Sequence, residues 1–189
     1  PDPDVRTAAI RRIRSHIPLA ERFGAVVIIG LIRGITPEGQ DHATSMALFA
    51  QGMRACGEAA LGTGVRFAIE PLNRYETDLI HTVADGLAFL DAVGMDNVGL
   101  LVDTFHMNIE EDDLGAAIRA AGPRIAHVHV DDTNRLQPGA GHMDFAGVSQ
   151  ALRDVGYDDW LTFECRLRGI PEQALPASTR FLAGFLQGA

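Results

Sequence analysis

The stretch that decides the fold of this chain reads Val98-Gly99-Leu100-Leu101-Val102-Asp103-Thr104-Phe105-His106-Met107-Asn108. Its first five residues are apolar or glycine, which is typical of a strand buried on both faces. The run ends on a carboxylate at Asp103, and an imidazole follows three residues later at His106. In parallel α/β folds, chemistry lies at the carboxyl ends of the strands, so this stretch predicts a functional site there.

Three other short apolar runs of the chain end in the same way. Glu70 follows Ala68-Ile69, His129 follows 125–128, and Glu164 follows 161–163. Because the carboxyl ends of parallel strands meet at one edge, we expect these four side chains to converge. Three carboxylates and one imidazole favour Mn²⁺, Mg²⁺ or Co²⁺ over Zn²⁺, which prefers more nitrogen or sulfur. The sequence therefore predicts a divalent metal site at Glu70, Asp103, His129 and Glu164.

Each of these residues also has a purely structural interpretation. An aspartate after a strand, such as Asp103, is commonly a helix N-cap or a turn residue. His127 shares a strand face with His129 but lies farther from the strand end, so an interior hydrogen-bonded histidine explains it better than a ligand does. Glu164 follows an apolar run, and a buried, unpaired glutamate would be costly without a cation or a partner. Only the conjunction of the four strand ends favours a metal.

Apolar runs alternate with amphipathic segments along the whole chain. We predict strands over 25–31, 65–72, 98–103, 125–129 and 161–164. We predict helices over about 2–23 with an interruption at Pro18, and over 41–61, 82–93, 113–121, 145–155 and 171–186; the segments 104–112 and 131–142 are predicted loops. Such alternation indicates a parallel α/β sheet of five strands, and no linker or change of composition divides the single domain predicted over 1–189.

Composition limits the classes of function. A chain of 189 residues with 47% hydrophobic residues suits a globular fold, and its formal net charge of −9 opposes binding to nucleic acid or anionic membranes. Cys56 and Cys165 have no metal or redox spacing, which suits a reducing compartment. No apolar run reaches the ~18 residues of a membrane span. We therefore expect a cytoplasmic protein without a signal peptide or a membrane span.

Polar side chains of hydrogen-bonding type follow the predicted ligands. They are Glu76, His106, Asn108, Asn134 and Arg135. Such a set suits a polyhydroxylated substrate, although Asn108 and Asn134 singly are better explained as solvated loop residues. Arg33, Arg166 and Arg168 follow strands and would contact a phosphate or a carboxylate, or would be surface charges.

Three motifs resemble a known family. They are Glu70-Pro71-Leu72-Asn73-Arg74-Tyr75-Glu76, Asp103-Thr104-Phe105-His106-Met107-Asn108-Ile109-Glu110-Glu111 and His127-Val128-His129-Val130-Asp131-Asp132-Thr133-Asn134-Arg135. Together they resemble the sugar phosphate isomerase/epimerase family, whose barrels are xylose isomerase-like. Within that family they most resemble ketose 3-epimerases of the D-tagatose and D-psicose (allulose) type. The resemblance covers essentially the whole chain from Asp2 on.

The resemblance implies a (β/α)₈ TIM barrel with one divalent ion, Mn²⁺ first and Co²⁺, Mg²⁺ or Zn²⁺ as alternatives. It implies that Glu70, Asp103, His129 and Glu164 are the metal ligands. Glu70 and Glu164 would also be the acid–base pair that inverts C3 of a ketose or ketose phosphate through an enediolate. Glu76, His106 and Arg135 would hold the sugar near its carbonyl. A homo-oligomer, a dimer or a tetramer, is expected with it.

The chain departs from the family pattern in its number of strands. The family barrel has eight strands, whereas we predict five, and these match the last five of the barrel. Five strands alone leave two unpaired edges and an open interior. We therefore expect 189 residues expressed by themselves to aggregate, associate or remain molten.

Three alternative functions stay open. The first is an aldose–ketose isomerase of the same superfamily, such as a hydroxypyruvate isomerase, although the loop 73–76 favours the epimerases. The second is a DNA-repair endonuclease on the same barrel, which would need further zinc ligands and a basic groove that the net charge opposes. The third is a non-catalytic fragment.

Overall fold

The computed structural model describes residues 2–186, which contain one five-stranded parallel sheet and eight α-helices. The predicted domain 1–189 extends beyond these residues at both ends. The strands are β1 (Val27–Ile29), β2 (Phe67–Ile69), β3 (Val98–Asp103), β4 (Ile125–His129) and β5 (Leu161–Thr162). The helices are α1 (Pro3–Arg14), α2 (Ile17–Phe23), α3 (His42–Ala59), α4 (Val83–Val93), α5 (Thr104–Glu110), α6 (Leu114–Ala121), α7 (Phe145–Asp154) and α8 (Pro171–Leu186).

The strands pair in the order of the chain, each parallel to the next, with helices in the connections. This is the arrangement of a (β/α) barrel, here over five of its strands, and it confirms the predicted α/β fold class. Among the described residues β1 and β5 do not pair with each other, so the sheet is an open half-barrel. Within those residues, no helix combines the length and the apolarity that crossing a membrane requires.

Two groups of buried side chains lie on opposite sides of the sheet. The larger group joins the outward-facing strand residues to the helices, as Phe67 and Val102 do with Phe89 of α4. The smaller group is Ala68, Leu101 and Ala126, with Val26 packed against it. The large side chains thus lie between the sheet and its helices, and the inner side carries mostly small ones.

A register shift in the pairing of β3 with β4 decides which way the end of β4 faces. Leu100 lies opposite Ile125 but Leu101 lies opposite His127, so Ala126 is an extra residue on β4. Such a bulge changes the phase of the alternation between the two faces. Ile125 and Val128 therefore pack outward, whereas the His127 and His129 rings lie in edge contact on the other face.

The start and end of α4 agree with the helix predicted over 82–93. Thr82 and Asp85 form a capping box at the start of α4, and Gly94 ends that helix in a left-handed conformation, with φ 66°. The predicted helix 2–23 is two helices, and the break falls at Ser15–His16 rather than at Pro18. Pro18 lies in the first turn of α2, where its missing N–H costs no hydrogen bond.

Other predicted boundaries were wrong. The strands predicted over 25–31 and 65–72 shorten to β1 and β2, and the chain after β1 forms a 3₁₀ turn at Leu31–Arg33. The strand predicted over 161–164 ends at Thr162, so Glu164 lies two residues beyond it. The segment 104–112 was predicted as a loop, but its first seven residues form α5.

Gly99 of β3 is the position where the bulge leaves no room. A Cβ there would lie 2.7 Å from the Arg124 carbonyl oxygen and 2.9 Å from the Ala126 Cβ. We expect Gly99→Ala to lower the free energy of unfolding of the full-length protein by about 1–3 kcal/mol, because neighbouring backbone would have to move. Urea unfolding followed by circular dichroism measures the change.

Gly184→Ala in α8 is the matched control. An added Cβ at Gly184 meets no atom of the described residues within 4 Å. Alanine should therefore raise the free energy of unfolding by roughly 0.5–1 kcal/mol through its better helix propensity. A Gly99→Ala protein as stable as wild type would show that the contact beside the bulge is not tight.

Candidate active site

The structure brings four of the predicted site residues together at the carboxyl ends of neighbouring strands. Glu70 directly follows β2, Asp103 is the last residue of β3, and His129 is the last residue of β4, in register with Asp103. Glu164 follows β5. Each residue offers one ligand atom, and these four atoms lie within 4.8 Å of one another. Glu70, Asp103 and His129 are buried, whereas the Glu164 side chain is 50% exposed, so the expectation that it is buried was wrong.

The Nδ1 atom of His129 is the centre of this cluster. It lies 3.7 Å from Glu70 Oε1, 3.5 Å from Asp103 Oδ2 and 3.5 Å from Glu164 Oε2. These separations exceed the 2.7–3.2 Å typical of hydrogen bonds. They match ligand atoms that each lie about 2.1 Å from one ion, which are roughly 3.0–4.2 Å apart in octahedral coordination.

Buried polar atoms in the cluster lack the partners that such atoms normally have. Glu70 Oε1, Asp103 Oδ2 and His129 Nδ1 have no hydrogen-bond partner among residues 2–186. A buried polar atom without a partner costs roughly 1–3 kcal/mol, and more if it is charged. One divalent cation would satisfy all three atoms and offset the charge of the carboxylates. The donor set therefore fits a hard divalent ion.

Charge dominates the titration of the cluster. Burial lowers the pKa of His129, but the interactions with Asp103, Glu164 and Glu70 outweigh burial and raise that pKa to about 11. The interaction with His129 in turn lowers the pKa of Glu164. Without an ion the imidazole is thus a cation among three carboxylates, and a bound metal would take the place of its proton.

Asp103 uses its two oxygens differently. Oδ1 accepts hydrogen bonds from the backbone N–H groups of Phe105, at 2.8 Å, and His106, at 3.2 Å. It therefore caps α5, which is why 104–110 is helical although we predicted a loop. Oδ2 faces His129. The structural and the functional interpretations of Asp103 thus apply to different atoms of one side chain.

His106 presents a buried ring nitrogen to the cluster. Its Nδ1 lies 3.2 Å from the backbone N–H of Asn73 and 2.8 Å from the Asn73 Nδ2, both donors. A ring nitrogen that accepts is unprotonated, so in the neutral ring the proton is on Nε2. Within the described part of the chain Nε2 is buried without a partner, and it lies 4.0 Å from Glu70 Oε1. It is therefore a donor directed at the site.

Glu76 and Arg135 form an ion pair beside the cluster. Arg135 Nη1 lies 2.7 Å from Glu76 Oε1, and its Nη2 lies 3.6 Å from Glu164 Oε2. The guanidinium also lies over the Phe105 ring, 4.9 Å from its centroid. Arg135 has φ 57°, a left-handed conformation that costs a non-glycine residue roughly 1–3 kcal/mol and that is found at functional sites.

Several polar residues considered from the sequence lie outside the cluster. Asn108 is exposed on α5, and Asn134 binds within its own loop, to the Ala140 carbonyl oxygen and the Leu136 N–H. His127 lies deeper on β4, where its Nε2 is 2.7 Å from Thr162 Oγ1, as an interior histidine would be. Burial lowers the pKa of His127.

Arg33 is held by backbone carbonyl oxygens, while its Nη1 is buried without a hydrogen-bond partner among residues 2–186. Its Nε donates to the Gly30 carbonyl oxygen at 3.0 Å, and its Nη2 donates to the carbonyl oxygens of Ile29 and Glu70. Burial lowers the pKa of its guanidinium to about 10. Arg33 therefore fixes the backbone at the ends of β1 and β2, including the carbonyl group of Glu70 itself. Arg166 and Arg168 are exposed.

Sequence reasoning missed four residues that order the site. Asn73 orients His106, Asp131 and Thr104 bind each other, and the Asp132 carboxylate accepts from the N–H groups of Thr133, Gly139 and Met143. All four lie inside the motifs quoted above. Asp131 and Asp132 could have been found from their position, because two adjacent carboxylates follow β4 and its last residue, His129, after only Val130.

A parallel half-barrel with its polar cluster at the carboxyl ends of the strands has the layout of the TIM-barrel enzymes. The sequence profile of the xylose isomerase-like TIM barrel family matches residues 1–185, and the chain belongs to this family. The predicted family resemblance is thereby confirmed.

Relatives of known activity include several epimerases of ketoses. The chain is 44% identical to D-psicose 3-epimerase of Agrobacterium fabrum over 117 residues, which are 62% of this chain and 40% of that protein. It is 34% identical to D-psicose 3-epimerase of Ruminiclostridium cellulolyticum over 168 residues, 87% of this chain and 57% of that protein. The chain thus spans about half the length of these curated relatives.

Solved structures of ketose 3-epimerases also superpose on the chain. A crystal structure of D-psicose 3-epimerase in the presence of D-fructose superposes with a TM-score of 0.89 at 29% identity, over 99% of this chain and 73% of that one. L-ribulose 3-epimerase superposes with a TM-score of 0.76 at 34% identity, over 91% and 59%. A likeness to an AP endonuclease of family 2 from Brucella melitensis, at 21% identity, shows the shared fold alone.

We expect Arg33→Met to lower the free energy of unfolding by about 1–3 kcal/mol, because buried carbonyl oxygens at the ends of β1 and β2 would lose a donor. Arg166→Met removes an exposed guanidinium as the control and should stay within about 0.5 kcal/mol of wild type. Denaturant titration of the full-length protein measures both changes in the free energy of unfolding. Equal effects of the two variants would show that the Arg33 contacts do not stabilise the strand ends.

Proposed function

We propose that this chain carries the catalytic centre of a metal-dependent ketose 3-epimerase. The observation that carries the proposal is the set of 3.5–3.7 Å separations between His129 Nδ1 and three carboxylate oxygens. Membership of the xylose isomerase-like family and the similarity to D-psicose and L-ribulose 3-epimerases support it. We propose Glu70, Asp103, His129 and Glu164 as the ligands of one divalent ion, Mn²⁺ first, within a single domain.

A divalent ion at this cluster would act as a Lewis acid toward the carbonyl and a neighbouring hydroxyl of the sugar. The proton transfers belong to the protein. A carboxylate with an ordinary pKa of ~4 is a weak base toward a C–H group, so the C–H must be acidified in the site. The other residues near the cluster are therefore proposed to stabilise negative charge as it develops on the sugar oxygens.

Glu70 and Glu164 are the proposed acid–base pair. They follow β2 and β5, with two strands between them, so they approach the cluster from different sides. One carboxylate takes the proton from C3, and the C–H electron pair moves toward the C2 carbonyl to give an enediolate. The other carboxyl group, which enters the cycle protonated, delivers its proton to the opposite face of C3. The centre is inverted, and the two groups finish with exchanged protonation states.

His106 and Arg135 are proposed to bind the sugar oxygens. The Nε2 proton of His106 is directed at the cluster, and the Arg135 guanidinium is held between Glu76 and Glu164. Both donate hydrogen bonds and would share the charge of the enediolate oxygen. The Glu76 carboxylate orients the guanidinium and is a candidate acceptor for a sugar hydroxyl. The half-exposed Glu164 marks the side from which a sugar enters.

An aldose–ketose isomerase would use the same cluster for a proton transfer between C1 and C2. The substrate class separates the two reactions, since epimerisation keeps the ketone and isomerisation converts it to an aldehyde. Assaying the full-length protein against ketoses and against hydroxypyruvate, with products resolved by chromatography, distinguishes them. Formation of an aldose as the main product would replace the epimerase proposal with the isomerase.

We expect the full-length protein, purified without chelator, to contain one divalent ion per chain. Asp103→Asn should weaken Mn²⁺ binding by about 10-fold or more, because it replaces a charged ligand oxygen with a neutral one. His127→Gln changes a histidine of the same strand that lies outside the cluster, and it should leave the metal content unchanged. Elemental analysis and Mn²⁺ titration measure both. Absence of bound metal together with activity that survives EDTA would rule out the site.

We expect Glu70→Gln and Glu164→Gln each to reduce turnover roughly 10²- to 10⁴-fold, even where metal is retained, because each removes a proton-transfer group. Glu172→Gln, an exposed glutamate in the first turn of α8, is the matched control and should keep wild-type turnover. Turnover in D₂O should place deuterium at C3 of the product. A product without solvent deuterium at that carbon would overturn the proton-transfer mechanism.

A further inference from the structure

Glu164 differs from the other proposed ligands in how it is held. Glu70, Asp103 and His129 lie at the ends of strands inside the sheet and are buried. Glu164 lies two residues beyond β5, which is only two residues long, and its side chain is half-exposed. The pairing of β4 with β5 ends at Thr162 and resumes at the bridge between Leu136 and Arg166. Glu164 lies between these paired positions, so a contact at its own backbone would fix it further.

The Asp131 side chain provides that contact. Its Oδ1 accepts a hydrogen bond from the backbone N–H of Glu164 at 3.1 Å. Asp131 is itself fixed on the opposite side by Thr104, whose hydroxyl donates to the Asp131 carbonyl oxygen at 2.6 Å and accepts from the Asp131 N–H at 2.8 Å. Thr104 directly follows Asp103. The chain Thr104–Asp131–Glu164 thus joins the ends of β3, β4 and β5.

Burial of the Asp131 carboxylate costs free energy that a single hydrogen bond to an N–H group does not offset. The residue is 0% exposed, and within the described residues its Oδ2 has no hydrogen-bond partner. Burial, with the charges of Asp103 and Glu164, raises the pKa of Asp131 to about 7. A buried carboxylate beside like charges is strongly unfavourable. Packing alone does not explain a carboxylate at this position, whereas its hydrogen bond to the Glu164 N–H does.

We propose that Asp131 is a positioning residue: it fixes the backbone of Glu164 from the end of β4, with Thr104 as its anchor, so that the Glu164 carboxylate meets the buried ligands. The inference rests on the metal site of the proposed function. It assigns Asp131 no contact with the ion or the sugar, and its effect passes through the amide of Glu164.

A double-mutant cycle in the full-length protein tests whether Asp131 acts through Glu164. In metal-free protein titrated with Mn²⁺ and followed by electron paramagnetic resonance, Asp131→Ala should weaken binding about 10-fold, as losses of ligand-orienting contacts do. In a Glu164→Ala background the same change should alter the dissociation constant less than about twofold, because no carboxylate remains to be positioned. Asp131→Asn keeps an oxygen acceptor and should stay within about threefold of wild type.

A second measurement needs no metal. Hydrogen exchange of metal-free protein should show faster exchange of the Glu164 amide in Asp131→Ala than in wild type or Asp131→Asn. Thr104→Val removes the anchoring hydroxyl at constant shape and should reproduce this effect, whereas Thr104→Ser should not. Thermal unfolding of every variant checks that the fold is retained.

The outcomes separate this inference from the proposed function. Wild type that binds Mn²⁺, with Asp131→Ala equally weakened in both backgrounds, would overturn the positioning role and leave the metal site standing. Equal loss in Asp131→Asn and Asp131→Ala would assign the effect to charge and would also overturn it. Wild type that binds no Mn²⁺ would overturn the metal site and this inference together.

Discussion

The mutual repulsion of carboxylates at the strand ends is the constraint on which the site depends. Glu70, Asp103 and Glu164 converge on one imidazole, with Asp131 adjacent, and most of this charge is buried. In a medium of low dielectric, such a group of like charges opposes folding unless a cation is present. His129 supplies one positive charge when protonated, which leaves the carboxylates only partly compensated. A divalent cation would compensate this charge more fully than a proton on His129 does.

In two of these carboxylates, Asp103 and Asp131, the two oxygens differ in their hydrogen bonding. Asp103 and Asp131 each bind backbone N–H through Oδ1 and leave Oδ2 without a partner in the part of the chain that the structure describes. Backbone bonds fix the direction of the second oxygen without adding a positive charge that would compete for it. Asp132 shows the contrasting case, since both of its oxygens bind the N–H groups of a loop and none of its charge faces the cluster.

Much of this arrangement could be predicted from apolar runs and the residues that end them. Parallel strand ends meet at one edge whatever the details of packing, so four runs ending on ligand types sufficed to place the cluster. The helix α5 was missed because the cap role of Asp103 was weighed only as an alternative to metal binding, although its Oδ1 caps α5 and its Oδ2 faces the cluster. The burial of Arg33 was missed because an arginine after a strand looks the same in sequence whether it meets solvent or backbone carbonyls. The bulge at Ala126 was beyond sequence reasoning, because register depends on the neighbouring strand.

The unequal burial of the four cluster residues has a kinetic consequence. Glu70, Asp103 and His129 are buried, whereas the Glu164 side chain is half-exposed, so within the described residues the cluster meets solvent at Glu164. A cation held by the cluster would then exchange with solvent past Glu164, and motion of the short segment after β5 would set its residence time. The same motion would withdraw one of the four carboxylate and imidazole groups, so a substitution that loosens this segment would shorten the residence time and weaken the affinity together.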